Sequence, residues 1–287
     1  MRQLVTFSFL LGTILSQNAR AENAAVTATA PQKIQRSPIP DEWTATVVPP
    51  GTMVLGSLAE VGVWDGVMVG TDPAAVALGA KTAQIKWQLP NFSEDDWSLG
   101  IKYISMSRKS MWWGDMSQRF TKLEAKIVRP SIAWSNRISQ RLIIHSFWAS
   151  GFGKSTSELS PYGKDKLHAA KHGSGKSGDG HSFANRTMQM QSIAGFTEDR
   201  FQLTAEWERN SGDRILLSSR LERTRLAQLE TFSMRLTLSQ QWSGYGFNLR
   251  VGAGPEYSVI SGKDLDSEDI SASGWLPAAD LALYWIL

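Results

Sequence analysis

From residue 51 to the C-terminus apolar residues recur at every second position in one segment after another, and this period constrains the fold more than any other feature. Successive strand side chains point to opposite faces, so a period of two builds a sheet with one dry face and one wet face. Ala83, Ile85, Trp87 and Leu89 alternate with Thr82, Gln84, Lys86 and Gln88. Trp97, Leu99, Ile101 and Tyr103 do so with Ser98, Gly100 and Lys102, and Phe201, Leu203, Ala205 and Trp207 with Arg200, Gln202, Thr204 and Glu206. Phe232 to Leu238 and Tyr245 to Ala253 repeat the pattern, and weaker versions occupy about 52–63, 122–134, 139–149, 186–196 and 214–225. A closed single-chain barrel normally has an even strand number, so the pattern predicts an all-β, closed antiparallel barrel of about 12 strands, with 10 as the second count.

Within 122–134 the apolar set moves from Leu123, Ala125 and Ile127 to Ile132 and Trp134 with Pro130 between, which predicts a bulge near Pro130. Asp72 to Gly79 breaks the rhythm. Its capping aspartate, first-turn proline and terminal glycine predict one short helix near 72–79, either a connector on a rim or a partial plug. The stretch from 151 to about 183 is rich in Gly, Ser and Lys and is expected to be a long surface loop, with turns near 135–137, 197–199 and 227–228 at the opposite end.

Arg2, an apolar stretch from Leu4 to Leu15 and Ala19-Arg20-Ala21 have the form of a signal peptide, predicting export with cleavage near Ala21. Residues 22–50 contain Pro31, Pro38, Pro40, Pro49 and Pro50 and read as a proline-rich periplasmic tail preceding a barrel over 51–287. No later segment reaches about 18 apolar residues, so the mature chain offers no transmembrane helix. Cysteine is absent, which removes disulfides and thiolate chemistry together. Losing Arg2 and Arg20 takes the net charge from +3 to 3 − 2 = +1, so the basic balance is no argument for nucleic acid.

The last residues, Ala279, Leu281, Leu283, Trp285 and Leu287 alternating with Asp280, Ala282 and Tyr284, resemble the terminal strand of bacterial outer-membrane β-barrel proteins. In that family this strand is the assembly signal, here Leu283, Trp285 and Leu287, although Leu287 departs from the usual final aromatic. The resemblance implies a Gram-negative outer-membrane location, lipid and lipopolysaccharide as surroundings, and the barrel-assembly machinery as a partner. A soluble sandwich would show the same alternation. Trp87, Trp97, Trp134, Trp148, Trp207, Trp242 and Tyr245 near strand ends favour a barrel with aromatic girdles.

On the wet face Lys86, Lys102, Lys122, Lys126, Arg141, Arg220, Arg235 and Arg250 stand against Glu124, Glu206, Glu208, Glu222 and Asp280. With His145, and leaving aside Glu208 and Asp280, these are the pore-lining candidates of a porin-like channel whose cationic wall would admit small anionic solutes. The alternative is a structural or surface-binding barrel whose lumen is filled by salt bridges. His145 is the one histidine on an expected strand, and Ser146 must point the other way, so a hydrolase nucleophile would have to come from another strand. A self-satisfied polar network is the plainer expectation, and no catalytic residue is assigned. His168, His172 and His181 could imitate a metal site, and Gly153-Lys154-Ser155 and Gly175-Lys176-Ser177 a phosphate loop, but their context is wrong for either. Lys154, Lys164, Lys166, Lys171 and Lys176 form a basic fringe that a solvated loop explains, with binding of anionic lipopolysaccharide or nucleic acid as the sharper reading. No cofactor, metal or nucleic-acid partner is expected, and nothing indicates the oligomeric state.

Overall fold

The computed structural model describes residues 42–56, 58–90, 95–110, 116–163, 195–209, 213–226, 229–243, 247–263 and 269–287. The leader at 1–21, most of the proline-rich tail, the expected strand positions 186–194 and the 164–183 part of the surface loop lie outside the described residues.

Twelve antiparallel strands form an unbroken ring: β1 (Met53–Gly56), β2 (Ala59–Trp64), β3 (Val67–Thr71), β4 (Ala80–Gln88), β5 (Asp96–Ser107), β6 (Phe120–Arg137), β7 (Leu142–Leu159), β8 (Phe196–Glu208), β9 (Arg214–Leu226), β10 (Leu229–Ser243), β11 (Phe247–Lys263) and β12 (Asp269–Ile286). Each strand pairs with its successor. Closure comes from β1 against β12, where Val54 faces Ile286 and Leu55 faces Trp285, and Met53 exchanges hydrogen bonds of 3.1 and 2.8 Å with Leu287. No described strand is left with an unpaired edge, which is what a ring achieves and an open sheet cannot. No helix of the described residues is long and apolar enough to cross a membrane.

An even strand number brings both ends of the ring to one rim, here called the terminal rim, together with the described connecting residues 65–66, 89–90, 95, 138–141, 209 and 213. The opposite, loop rim carries the other strand ends with the described residues 58, 72–79, 108–110, 116–119, 160–163 and 195. Three expectations are corrected by this. β9 ends at Leu226 and β10 begins at Leu229 on the same rim as the end of β7, not on the opposite one, and 197–199 lies inside β8, because counting 186–196 as a strand inverts the up-and-down alternation after it. The loop also begins later than 151, since β7 runs to Leu159. The helix α1 (Pro73–Ala77) matches its sequence signature: the Asp72 side chain accepts from Ala75 N at 3.0 Å and Gly79 adopts a φ of 88°. It stands on the loop rim with no buried residue, as a connector does.

There is no bulge at Pro130. Register runs unbroken from Lys102 opposite Arg129 through Ile101 opposite Pro130, and the one irregularity of β6 falls between Phe120 and Lys122. The dry and wet faces nevertheless exchange polarity along β6. Lys122, Glu124 and Lys126 share the outer face with Val128, Ile132 and Trp134, while Arg129, Ala133 and Ser135 face the lumen. The β6–β7 hairpin extends past the pairing of β7 with β8, which stops at Gly153 opposite Phe196, so its outer face beyond that level is polar without any change of register.

The outer wall below that level is apolar. Ile85, Trp87, Leu99, Ile101, Leu217, Leu236, Leu238, Val251 and Leu281 all stand out from it, Leu281 with 70% of its surface exposed. Trp87, Trp97, Trp134, Trp207, Trp242, Phe247 and Trp285 ring the terminal rim, with Trp97 and Trp134 at 6.3 Å and Phe247 and Trp285 at 5.7 Å between ring centres. A second row, Tyr103, Phe152, Tyr257 and Trp275, lies toward the loop rim, the last two 5.1 Å apart. Phe247 to Tyr257 and Trp275 to Trp285 each span ten positions, which in strands tilted about 40° separates the rows by about 25 Å. Trp148 sits between the rows beside Ile132 and Phe201, and Tyr245 lies outside the described residues.

Candidate functional site in an occupied lumen

Residues 42–50 precede the ring, yet they do not form a free tail. They turn in at Pro49 and Pro50, exposed on the terminal rim, and 42–48 lie inside the barrel. Ala45, Val47 and Val48 are buried, the two valines packing with Val54, Met68, Ala282 and Tyr284 of the inner wall. The division of the chain at residue 50 into tail and barrel therefore needs correction for these residues, whose apolar side chains find in the lumen the burial that a solvated tail would deny them. The turn that brings them in depends on Gly62. Pro50 bridges to it, Gly51 N donates to Gly62 O at 2.9 Å, and a Cβ on Gly62 would collide with the carbonyl oxygen of Pro49.

Above the valines the segment meets a polar network. Ser135 on β6 and His145 on β7 are cross-strand partners joined by a 2.8 Å bond between Oγ and Nδ1. The other histidine nitrogen, Nε2, lies 3.3 Å from Oε2 of Glu206, whose second oxygen is 3.0 Å from Nη1 of Arg214. Ala45 N donates to Ser135 Oγ at 3.0 Å. Placing the histidine proton on Nε2 lets Ser135 accept from Ala45 and donate to Nδ1 while His145 donates to Glu206, so every partner is served. Trp43 caps His145 edge-on, 5.1 Å between centres at 77°, and Arg250 lies over the same indole at 5.6 Å while holding Asp280 at 2.9 Å.

Deeper still, Glu42 reaches Arg129 on β6 at 3.8 Å and Arg200 on β8 at 3.5 Å. Both guanidiniums also bind Glu198, and Arg200 is 3.3 Å from Glu222, which pairs with Arg220. Arg235 holds Glu256 at 2.5 Å, and Lys102 reaches Asp72, the cap of α1, at 3.2 Å.

Of the candidate lining residues, Lys86, Lys102, His145, Glu206, Arg220, Glu222, Arg235 and Arg250 face the lumen. Lys122, Glu124 and Lys126 do not, for they point out from the projecting hairpin, and Arg141 is exposed in the terminal-rim turn. Leu283 and Trp285 share the outer face of β12, and Leu287 closes the ring through its backbone. Lys154 lies in β7, so Gly153-Lys154-Ser155 is strand rather than phosphate loop, whereas Gly175-Lys176-Ser177 and the histidines at 168, 172 and 181 lie outside the described residues. Sequence reasoning missed Glu42, Trp43, Arg129, Ser135, Glu198 and Arg214. Arg129, Glu198 and Arg214 were legible as charges on the wet face, but the proline-rich context hid the first two.

The fold defines an up-and-down barrel whose polar lumen is crossed by ion pairs and entered by its own N-terminal segment. Comparison with protein-family models and with curated proteins yields no match for the chain.

Proposed function

We propose that this protein is an outer-membrane β-barrel whose lumen is held closed by its own residues 42–48, a regulated rather than standing route for small anionic solutes. The observation that carries the reading is the pairing of two surfaces: an apolar outer belt about 25 Å tall between aromatic rows, and a charged lumen occupied by buried Ala45, Val47 and Val48. In water that belt would be a contiguous apolar exposure far larger than monomers tolerate; against acyl chains it is the favourable face. A permanently open porin is disfavoured because buried Ala45, Val47 and Val48 stand in the lumen that such a pore would leave clear. Hydrolysis is disfavoured as well, because Ser135, His145 and Glu206 are buried and the serine oxygen already serves Ala45 and His145.

The test is planar-bilayer conductance of the full mature chain beside a variant with Trp43, Val47 and Val48 replaced by serine. Little steady current from the first and unitary, anion-preferring steps from the second support the reading. Large steady current from the unaltered chain, or silence from both, contradicts it, and silence from both leaves a structural barrel that anchors its surface loops.

A further inference from the structure

We propose that Arg129 and Arg200 form a carboxylate-binding site in the lumen, which Glu42 occupies as a resident ligand and from which free carboxylate anions displace it. The inference deepens the reading of a closed conduit and rests on it for the consequence of displacement.

Among the ion-paired side chains around Glu42, five cations face four carboxylates of the wall and the α1 cap. Arg129, Arg200 and Arg220 share two wall carboxylates, Glu198 and Glu222, while Lys102 and Arg235 have Asp72 and Glu256. Glu42 supplies the missing charge from outside the sheet. Its two oxygens are divided between the two guanidiniums, Oε1 toward Arg129 Nη1 and Oε2 toward Arg200 Nη1, so one carboxylate bridges strands β6 and β8. Guanidinium groups in fixed positions suit carboxylates in particular, because each presents donors in a plane to an anion whose two oxygens lie in a plane.

The way Glu42 is held is that of an exchangeable ligand. Its contacts of 3.8 and 3.5 Å are longer than the 3.0 Å between Arg200 and the wall residue Glu198. It is the innermost of the described residues 42–49, which make no strand pairing, so withdrawal of these residues breaks no ladder of the sheet. A free carboxylate can restore the charge balance that Glu42 leaves behind. Seating of the segment and binding of the anion then exclude each other, and each must weaken the other by the same factor.

The chain contains no cysteine, so Thr44→Cys, buried beside Glu42, gives a single reporter of whether the segment is seated. The full mature chain carrying it is folded into phosphatidylcholine vesicles and treated with a membrane-impermeant maleimide in sodium acetate or in sodium chloride of equal ionic strength. Acetate should raise the labelling rate on the order of threefold over chloride. Adding Glu42→Gln should raise labelling in both salts and erase the difference between them. Arg200→Lys keeps the charge but not the planar fork, and should shrink the acetate effect without exposing the reporter in chloride. Equal labelling in the two salts by a folded barrel overturns the site, as does an acetate effect that persists in Glu42→Gln. Failure of the membrane reading is separate and visible, since the barrel would then lack the heat-sensitive shift in gel mobility that marks folding into vesicles.

Discussion

Ser135 and His145 face each other across one strand pair, and the serine oxygen that bonds His145 Nδ1 at 2.8 Å also receives the N–H of Ala45 at 3.0 Å. The one histidine that sequence places on a strand is thus part of a clasp for the lumen segment. Replacing Ser135 by alanine leaves a buried N–H and a buried ring nitrogen without that oxygen, which costs about 1–3 kcal/mol. Urea unfolding of vesicle-folded protein should register the loss, and a Ser135→Ala chain of unchanged stability would refute the clasp.

Glu42 makes seating of the segment sensitive to acid. Burial by itself raises its carboxyl pKa, but Lys102, Arg200, Arg129 and Arg220 together outweigh burial and hold it below the ordinary 4.5. The groups around it are Arg129 on β6, Glu198 and Arg200 on β8, Glu222 and Arg220 on β9 and Lys102 on β5. A pKa lower when seated than when withdrawn means the stabilisation is complete above 4.5 and is lost as pH falls through the depressed value. Channel open probability should be flat from neutral pH down to that point and rise below it, and the rise should be absent in Glu42→Gln.

Much of the barrel was legible because alternation is imposed locally, residue by residue, by the difference between its two sides. Trp87, Leu99 and Leu281 announce the outer face, and Lys86, Arg220 and Arg250 the inner one. The rule fails where its cause is absent: on the projecting β6–β7 hairpin the outer surface no longer adjoins the apolar belt, so Lys122 and Lys126 look like lumen residues and are not. The lumen segment was hidden for another reason. Trp43, Ala45, Val47 and Val48 are too few to mark an element, and only closure of the ring creates the cavity that buries them.

Charge removal should separate the two sides of the wall. Lys122→Ala, Glu124→Ala and Lys126→Ala together should leave the current and ion preference of an opened barrel as they were, whereas Arg220→Ala should reduce anion preference by about twofold or more. Reversal potentials in a salt gradient measure both, and a shift from the outer triple variant would contradict the assigned faces.

Gly62 admits the segment to the lumen because it has no Cβ to strike the Pro49 carbonyl. Gly62→Val should leave the ring folded but unseat residues 42–48, with labelling of Thr44→Cys rising about tenfold. Unchanged protection in a folded Gly62→Val barrel would show that the segment reaches its place without this approach.

The central claim is that a closed sheet turns its apolar wall toward acyl chains, and Leu281, outermost on β12 between Trp275 and Trp285, is where that claim is most exposed. The most direct measurement is the rate at which a Leu281→Cys chain, folded in lipid vesicles, reacts with a water-soluble thiol reagent. The account predicts near-complete protection when folded and ready reaction after unfolding. Reaction of the folded chain at the rate of a solvent-exposed thiol would contradict it.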